Sequence, residues 1–342
     1  MKDGVLFRCD STSSIGLGHL SRCIALAEAF ADVGVSSRFL GRFEAGGVRV
    51  LTRARMPFQD AGLVGSHEDL ATTAAHAESA ALTVLDSYGA DADYVAALQR
   101  RAPPIALIDD FCRLQRYDCA AVLNFTVAAS EFPYPCEQVR CCMGPEYFLV
   151  RRQLRSLRSH AKIRRGPVTH VLIAMGGVDK NNLAGRVARI LCDVNSSLEM
   201  NFVVGPAFPH LAELRDLLGE TMNRQIKSGL DDLGEEFDGA DLCICAGGLT
   251  KYEASYMGVP CAVLSQTSDQ AAETVRFASR GLAFDLGWSD GSDDETLRSR
   301  LSDLIASNSV REGLSRNGLA AFPNDPTDNA ARALGQVAGW QA

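Results

Sequence analysis

Residues 5–33 read VLFRCDSTSSIGLGHLSRCIALAEAFADV, and this stretch contains a complete strand–loop–helix unit. Residues 5–9 form a short apolar run of the kind found in buried strands, and residues 20–33 carry apolar side chains at helical spacing. A polar loop that contains Gly16 and Gly18 connects the two. A strand followed by a loop and a helix is the repeating unit of α/β proteins with parallel sheets.

The same alternation of short apolar runs and helical segments continues along the chain. Further strands are predicted at residues 37–40, 82–86, 105–109, 121–124, 168–174, 201–204, 241–245, 262–265 and 282–285. Helices are predicted at residues 183–193, 250–257 and 270–280, and another after residue 306. Helices cover both faces of parallel sheets of this kind. The pattern therefore predicts an α/β protein with two Rossmann-like domains in tandem.

At 342 residues the chain is long for a single core and suits two domains. We expect a first domain at residues 1–150, a linker at 151–167 and a second domain at 168–325. Residues 326–342 are apolar enough to cross back onto the first domain. The linker is basic and has no acidic residue. It is either an electropositive strip for a phosphate or an anionic lipid, or a solvated linker helix with Leu154 and Leu157 facing inward. We favour the linker helix.

Composition argues against several classes of protein. The formal net charge of −8 disfavours a nucleic acid as the main partner. No apolar run approaches the ~20 residues that span a bilayer, and no signal peptide precedes the first strand, so we expect a cytoplasmic protein without stable membrane insertion. The eleven cysteines are scattered, mostly in apolar runs, which is typical of reduced core thiols. Cys141 and Cys142 have no second Cys or His pair at zinc spacing, so no metal site is predicted.

The first glycine loop joins the end of a strand to the start of a helix, the place where open parallel sheets bind ligands. Its candidate site residues are Asp10, Gly16, Gly18, His19 and Arg22. The loop matches neither a dinucleotide fingerprint, because Cys23 stands near the position of the third glycine, nor a P-loop. His19 falls in the first turn of the helix, whose amino terminus disfavours an imidazolium, so a neutral ring could accept a proton. A catalytic role is favoured over a histidine that only caps or packs.

Two more glycine pairs follow strands in the second half of the chain. The candidate nucleotide-binding residues at these pairs are Gly176, Gly177, Gly247, Gly248, Leu249, Thr250 and Glu253, and a further strand-end loop at residues 265–270 adds Asp269 and Gln270. Gly176 and Gly177 either cradle a phosphate with their backbone amides or form only a turn. For the other pair, one interpretation is a capping box made by Thr250 and Glu253. In the alternative, residues 247–250 hold a diphosphate and Glu253 accepts hydrogen bonds from ribose. Two such turns in one domain favour a nucleotide site.

These segments together resemble one family, the UDP-2,4-diacetamido-2,4,6-trideoxy-β-L-altropyranose hydrolases of pseudaminic acid biosynthesis. The most specific match is Arg8-Cys9-Asp10 followed by Gly16-Leu17-Gly18-His19 and Arg22. The other matches are Leu85-Asp86-Ser87-Tyr88, Ile108-Asp109-Asp110, Leu123-Asn124, Gly144-Pro145-Glu146-Tyr147, Gly176-Gly177 with Asp179, and Ala246-Gly247-Gly248 with Thr250 and Glu253. The family is related in fold to the GT-B glycosyltransferases. The resemblance thus implies a GT-B-like fold, with two Rossmann-like domains facing each other across a cleft.

The resemblance also implies a reaction and roles for individual residues. Water would attack the anomeric carbon of a UDP-activated amino sugar with inversion, and UDP would leave. His19 would orient or deprotonate that water, Asp10 would hold the loop or contact the sugar, and Tyr88 would line the sugar pocket. The amides of the two glycine pairs and of Leu249 would stabilise the leaving diphosphate, and Glu253 would bind ribose. No metal and no cofactor are implied, and we expect a monomer.

Several residues depart from the family pattern. The nucleotide loop of the family usually reads AGGSTTWE, where this chain has Leu249, Lys251 and Tyr252 in place of a serine, a threonine and the tryptophan. Leu249 removes a hydroxyl that could touch a phosphate, and Lys251 adds a charge. Asp269 stands where the family commonly has asparagine, and Ser87 where it often has histidine. A different sugar, or a different nucleotide base, is an ordinary explanation of such changes.

Three functions from different classes fit the sequence. The favoured one is hydrolysis of a nucleotide sugar. A GT-B glycosyltransferase would use the same residues but let an acceptor hydroxyl replace water. A catalytically silent nucleotide-sugar sensor would explain the departures at Leu249 and Asp269 but not the intact His19 loop. A dehydrogenase is disfavoured because the dinucleotide fingerprint is missing.

Overall fold

The computed structural model describes residues 4–102, 104–205, 208–219, 221–230 and 232–340. The chain divides into two compact units, Met1–Arg155 with Pro323–Ala342 and Ser156–Phe322. Residues 1–3, on which the expectation about a signal peptide depends, lie outside the described ranges. Within those ranges, every helix is too short or too polar to cross a membrane.

The first unit is built on one parallel sheet. Its strands are β1 (Val5–Cys9), β2 (Ser37–Gly41), β3 (Phe58–Asp60), β4 (Leu82–Asp86), β5 (Ile105–Ile108), β6 (Ala121–Asn124) and β7 (Arg140–Met143). Its helices are α1 (Gly18–Asp32), α2 (Ala45–Arg53), α3 (His67–Ala77) and α4 (Ala92–Arg101), and α5 (Arg152–Ser156) follows at the boundary with the second unit. The strand order is β3-β2-β1-β4-β5-β6-β7. The direction of this order changes between β1 and β4, which makes that point the expected ligand position of a doubly wound sheet.

The second unit repeats this architecture with a shorter sheet. Its strands are β8 (His170–Ala174), β9 (Glu199–Val204), β10 (Arg224–Ser228), β11 (Leu242–Cys245), β12 (Cys261–Ser265) and β13 (Phe284–Trp288). Its helices are α6 (Leu183–Val194), α7 (Leu211–Leu218), α8 (Gly234–Gly239), α9 (Thr250–Tyr256), α10 (Ser268–Ser279), α11 (Asp294–Ala306) and α12 (Asn308–Ala321). The order is β10-β9-β8-β11-β12-β13, so the topological switch lies between β8 and β11. The predicted fold of two α/β units with parallel sheets is confirmed.

The strands that the sequence pattern missed are β3, β7 and β10, and each lies at an edge of its sheet. Strand β3 is exposed along its whole length, and β10 reads RQIKS, with a single apolar residue. The predicted strands β1 and β4 are instead buried at every position. A strand covered on both faces has a continuous apolar run, whereas an edge strand can do without one.

Several basic residues of the expected linker make contacts within the protein. Arg151 pairs with Glu28 at 3.0 Å, and Arg155 with Asp32 at 3.0 Å. Arg158 and Arg164 donate to backbone carbonyl oxygens of the second unit. On the apolar side of the same segment, Leu154 is buried and Leu157 is half-buried. These contacts favour the linker-helix interpretation over an electropositive strip for an outside anion.

The carboxyl-terminal segment returns to the first unit as helix α13 (Pro326–Val337). The hydroxyl of Thr327 accepts a hydrogen bond of 2.8 Å from the amide of Val150. Beyond the helix, the ring of Trp340 meets the ring of Phe30 edge to face at 5.7 Å. Residues 341 and 342 of the expected tail lie outside the described residues.

The expectation of reduced thiols is wrong for two cysteines, because Cys136 and Cys141 form a disulfide. The amide of Val139 donates to the carbonyl oxygen of Pro135 at 3.1 Å, and this turn brings the two Cα atoms to 5.4 Å. The adjacent cysteines at 141 and 142 gave no sign of this pairing. Five of the remaining cysteines in the apolar runs are buried free thiols, namely Cys9, Cys23, Cys243, Cys245 and Cys261.

Candidate active site

Most of the predicted site residues lie in segments that begin at the topological switch of each unit, whereas Asp269 and Gln270 follow strand β12. In the first unit, β1 pairs with β4 and places Cys9 opposite Asp86. In the second unit, β8 pairs with β11 and places Ala174 opposite Cys245. Because paired parallel strands end at the same edge of the sheet, the two loops of each unit start side by side. Each unit therefore brings two separate sequence motifs together.

His19 lies in the first turn of α1 and contacts the carboxylate of Asp86. Its Nδ1 is 2.6 Å from Oδ1 of Asp86 and 3.2 Å from Nη2 of Arg22. An ionised carboxylate only accepts hydrogen bonds, and the contact with Asp86 is the shorter, so Nδ1 carries the proton and donates it. Among the described residues, Nε2 has no hydrogen-bond partner. The pair therefore leaves the lone pair of Nε2 available to accept a proton.

Arg22 lies behind this pair and is buried. Its Nε and Nη2 donate to the two carboxylate oxygens of Asp86, each at 2.6 Å, and its Nη1 donates to Oδ2 of Asp110 at 2.6 Å. Burial alone would raise the pKa of Asp86, but the charges and hydrogen bonds of Arg22 and His19 hold that pKa well below its ordinary value. Arg22, predicted to bind substrate, thus keeps Asp86 ionised and fixes its orientation.

Tyr88 lies beside the histidine, as its assignment to the sugar pocket requires. The two rings meet edge to face with centroids 4.6 Å apart. The Tyr88 hydroxyl donates to Oδ2 of Asp110 at 2.9 Å, and the guanidinium of Arg113 lies over the ring, 4.5 Å from its centre. Burial and the neighbouring Asp110 raise the pKa of Tyr88 well above its ordinary value, so the phenol stays protonated. The Tyr88 side chain is still 46% exposed, which leaves ring surface for a ligand.

Asp10 is buried and faces the protein. Its Oδ1 accepts hydrogen bonds from Nη1 of Arg8 at 2.7 Å and from the amide of Arg42 at 2.9 Å. Its Oδ2 accepts one from the amide of Val64 at 3.0 Å. Of the two roles that the resemblance implied, these contacts fit holding the loop rather than contacting a sugar.

The glycines of the first loop leave its surface open. Gly16 has φ of +82°, a left-handed conformation that suits glycine, and a Cβ added at Gly16 or at Gly18 would meet nothing within 4 Å. The residue before α1, Leu17, provides no side-chain cap to the helix. A ligand can therefore approach the backbone of this loop closely.

In the loop after β8, the glycines are open to a ligand, whereas the amino end of the helix that follows is not. Gly176 and Gly177 both have open space where a Cβ would stand. The amino end of α6 is closed by a side chain of the preceding loop, because Asp179 accepts from the amides of Leu183 and Ala184 at 2.9 and 2.8 Å. Any phosphate at this loop would have to use the glycine amides and not the helix end.

The structure of the loop after β11 contradicts the capping-box interpretation. Helix α9 begins at Thr250, and the residue at its N-cap is Leu249, which has no side-chain capping bond. Thr250 is therefore already helical, and a capping box made with Glu253 is wrong. Gly247 is buried and Gly248 is exposed. The loop after β12 contacts the loop after β8, since Nε2 of Gln266 donates to the carbonyl oxygen of Met175 at 2.8 Å.

The structure shows where the two charged residues that depart from the family pattern lie. Lys251 was expected to add a charge to the nucleotide loop, but it is buried and paired with Glu273. Asp269 is exposed in the first turn of α10. Gln270 lies against the loop, because its Cβ would be 2.7 Å from a Cβ added at Gly247.

Sequence reasoning missed Asp86 and Asp110 as functional residues. Both occur in the matched motifs, but strand order, which the sequence does not state, is what places them against His19 and Arg22. The available signal was their position at or just after the ends of strands β4 and β5. No group of three or more metal-binding side chains is placed to hold an ion in the part of the chain that the structure describes.

Comparison with curated proteins finds two informative relatives. The spore coat polysaccharide biosynthesis protein SpsG of Bacillus subtilis is 32% identical over 177 residues, which cover 51% of this chain and 52% of SpsG. The UDP-2,4-diacetamido-2,4,6-trideoxy-β-L-altropyranose hydrolase of Campylobacter jejuni is 28% identical over 189 residues, 54% of this chain and 64% of the hydrolase. The matches thus span about half to two thirds of these relatives. No protein-family model matches the chain.

Solved structures match along nearly the whole chain. MurG of Acinetobacter baumannii aligns with a TM-score of 0.68 and 16% identity, covering 98% of this chain and 99% of MurG. The UDP complex of MnaA from S. aureus aligns with a TM-score of 0.66 and 12% identity, covering 99% and 98%. At such identities the likeness shows the fold, which is GT-B. The chain therefore has a GT-B fold and is similar in sequence to a UDP-2,4-diacetamido-2,4,6-trideoxy-β-L-altropyranose hydrolase, the family that its motifs resemble.

Proposed function

We propose that this protein hydrolyses a UDP-linked 2,4-diacetamido-trideoxy sugar, by attack of water at C1 with inversion, in nonulosonic acid biosynthesis. The observation that carries the proposal is the His19–Asp86 pair on the open glycine loop. A histidine whose Nδ1 is held by an ionised carboxylate has Nε2 free to act as a general base. A relative that is such a hydrolase supports the choice of reaction and substrate.

The bonds that form and the bonds that break in the proposed step balance. Nε2 of His19 takes a proton from water as the water oxygen forms a bond to C1 of the sugar. The bond from C1 to the diphosphate oxygen breaks, and the electron pair leaves with UDP. The imidazolium that forms is stabilised by the Asp86 carboxylate, which Arg22 keeps ionised. Tyr88 lines the sugar position next to His19.

The second unit supplies the nucleotide site in this proposal. The exposed Gly248 and the open Gly176 and Gly177 would direct backbone amides at the diphosphate, where negative charge grows as UDP departs. Glu253, half-buried on α9, would accept hydrogen bonds from the ribose hydroxyls. In this proposal the protein binds the UDP-activated amino sugar as a monomer in the cytoplasm.

A GT-B glycosyltransferase is the alternative. It is favoured by exposed apolar side chains in the loops after β1 and β3, where Ile15 is 40% and Leu63 is 49% exposed. Such groups would suit an acceptor with an apolar part. The His19–Asp86 pair would then deprotonate an acceptor hydroxyl. A silent sensor would not need this pair.

The test is incubation of the purified protein with UDP-, GDP- and CMP-linked amino sugars without an acceptor, followed by proton NMR. Release of UDP and a free sugar supports the hydrolase. Release that begins only after an acceptor alcohol is added supports the transferase, and nucleotide binding without release under either condition supports the sensor.

A further inference from the structure

Lys251 is a buried lysine beside the loop after β11, which carries Gly247 and Gly248. It lies in the first turn of α9 and is 1% exposed. A buried ammonium group is costly unless it is paired and hydrogen-bonded. Its Nζ pairs with the carboxylate of Glu273 and donates to the backbone carbonyl oxygen of Gly247. The ammonium group of Lys251 therefore contacts the backbone of the glycine loop itself.

The carboxylate partner is held by a second departure from the family pattern. The hydroxyl of Tyr252 donates to Oε1 of Glu273, which is also buried. The ammonium group of Lys251 lies 5.3 Å from the centre of the Tyr252 ring and 5.7 Å from that of Phe277. Lys251, Tyr252 and Glu273 thus form one buried network, which we call the lysine network, and it ends on the Gly247 carbonyl.

The bond to Gly247 fixes the direction of the next amide. A trans peptide is planar, so the carbonyl of one residue and the N–H of the next point to opposite sides. The described part of the chain has no cis peptide bond. With the Gly247 oxygen drawn inward by Lys251, the Gly248 N–H must point outward.

The surroundings of the two glycines agree with this orientation. Gly247 is buried, and a Cβ there would come within 2.7 Å of Gln270. Gly248 is exposed, and a Cβ there would meet nothing within 4 Å. The loop is closed on the side that Lys251 holds and open on the side to which the Gly248 amide points. A fixed outward N–H is the donor that an anionic group needs.

We propose that Lys251 is a positioning residue that orients the Gly247–Gly248 peptide, so that the Gly248 amide donates to the diphosphate of the nucleotide. This inference rests on the proposed function of the same loop. The lysine contacts no phosphate and acts through the peptide. It also explains why a charge is tolerated in this position, since Glu273 neutralises it within the core.

The test is the double variant K251M/E273Q, which removes both charges and leaves an amide to accept from Tyr252. Without the lysine the peptide is free to rotate. We expect the affinity for UDP to fall about tenfold or more, as for loss of a hydrogen bond to a charged group. The affinity for uridine, which has no phosphate, should stay within about twofold on the same arithmetic, and competition NMR measures both.

The matched control is K227M/E236Q. Lys227 and Glu236 form another Lys–Glu pair in the same unit, at 2.5 Å between β10 and α8. This variant should bind UDP as the wild type does. If K251M/E273Q loses UDP and uridine equally, or loses neither, the positioning role is overturned while the proposed nucleotide site stands. If the wild type itself does not bind UDP, the proposed function fails and the inference with it.

A measurement on the unaltered protein covers the case in which the double variant does not fold. The Gly248 amide should move downfield in the proton–nitrogen correlation spectrum when UDP is added and stay in place with uridine. An unchanged Gly248 amide in the UDP complex would overturn the proposal.

Discussion

Nδ1 of His19 lies 2.6 Å from Oδ1 of Asp86, although 67 positions of sequence separate the two residues. The parallel pairing of β1 with β4 makes this contact possible, because it ends the two strands next to each other. The contact sets the tautomer of the imidazole and directs the lone pair of Nε2 away from the carboxylate. The chemistry that we propose for the first unit depends on this relationship.

Replacing His19 with alanine should abolish hydrolysis while leaving the nucleotide site intact. We expect turnover to fall by about 10²–10⁴, the range for loss of a general base, with UDP affinity unchanged. Turnover is followed by NMR and UDP binding by calorimetry. The control is His160→Ala at an exposed histidine of the second unit, which should leave both values unchanged. Loss of UDP binding in His19→Ala would contradict the division of roles.

Replacing Asp86 with asparagine should impair the base without removing it. The amide cannot stabilise the imidazolium, so kcat should fall about 10-fold or more, with a smaller change in KM. Nitrogen NMR of the imidazole reports the tautomer directly, and we expect Nδ1–H in the wild type. A wild-type ring protonated at Nε2 and not at Nδ1 would refute the assignment.

Asp86 should also make stability depend on pH in acid. Its pKa in the folded protein lies below the value of about 3.9 in the unfolded chain, so its contribution is present above that pH and is lost as the pH falls toward the folded value. Asp86→Asn should lower the free energy of unfolding at pH 7 by about 3 kcal/mol, because it removes one of the two carboxylates that pair with the buried Arg22. Denaturant melts between pH 7 and pH 3 should show this difference shrinking only below about pH 4. A difference in unfolding free energy between wild type and variant that grows as the pH falls would contradict this prediction.

Asp179 should stabilise the second unit by closing the amino end of α6. Its carboxylate accepts from the amides of Leu183 and Ala184. Asp179→Ala should lower the free energy of unfolding by about 1 kcal/mol, as typical loss of a helix cap does, and Asp179→Asn should lower it less. Thermal unfolding of the two variants measures the effect. Equal stability of Asp179→Ala and wild type would show that the helix end does not need this cap.

Much of the fold could be predicted from the sequence because buried strands have continuous apolar runs. Residues 5–9 and 82–86 could be recognised because they are covered on both faces, whereas the edge strand Arg224–Ser228 could not. His19 was identified because it follows a glycine loop. Asp86 was not assigned a role because its meaning depends on which strands are neighbours.

The charge of Lys251 illustrates the same limit. The sequence alone indicates a charge added to a phosphate loop, since the residue that neutralises Lys251 lies in another helix. Glu273 is 22 positions further along the chain, and only the packing of α10 against this part of the unit brings the two together. Long-range pairing of buried charges is a property of the fold and not of a local motif.

The most direct test of the central claim is hydrolysis of the UDP-linked sugar in ¹⁸O-labelled water, with mass analysis of the UDP and early proton NMR of the sugar. Attack of water at C1 predicts UDP without the label and a sugar that first appears with its anomeric configuration inverted. Label in the terminal phosphate of UDP, or a sugar that first appears with retained configuration, would contradict the mechanism.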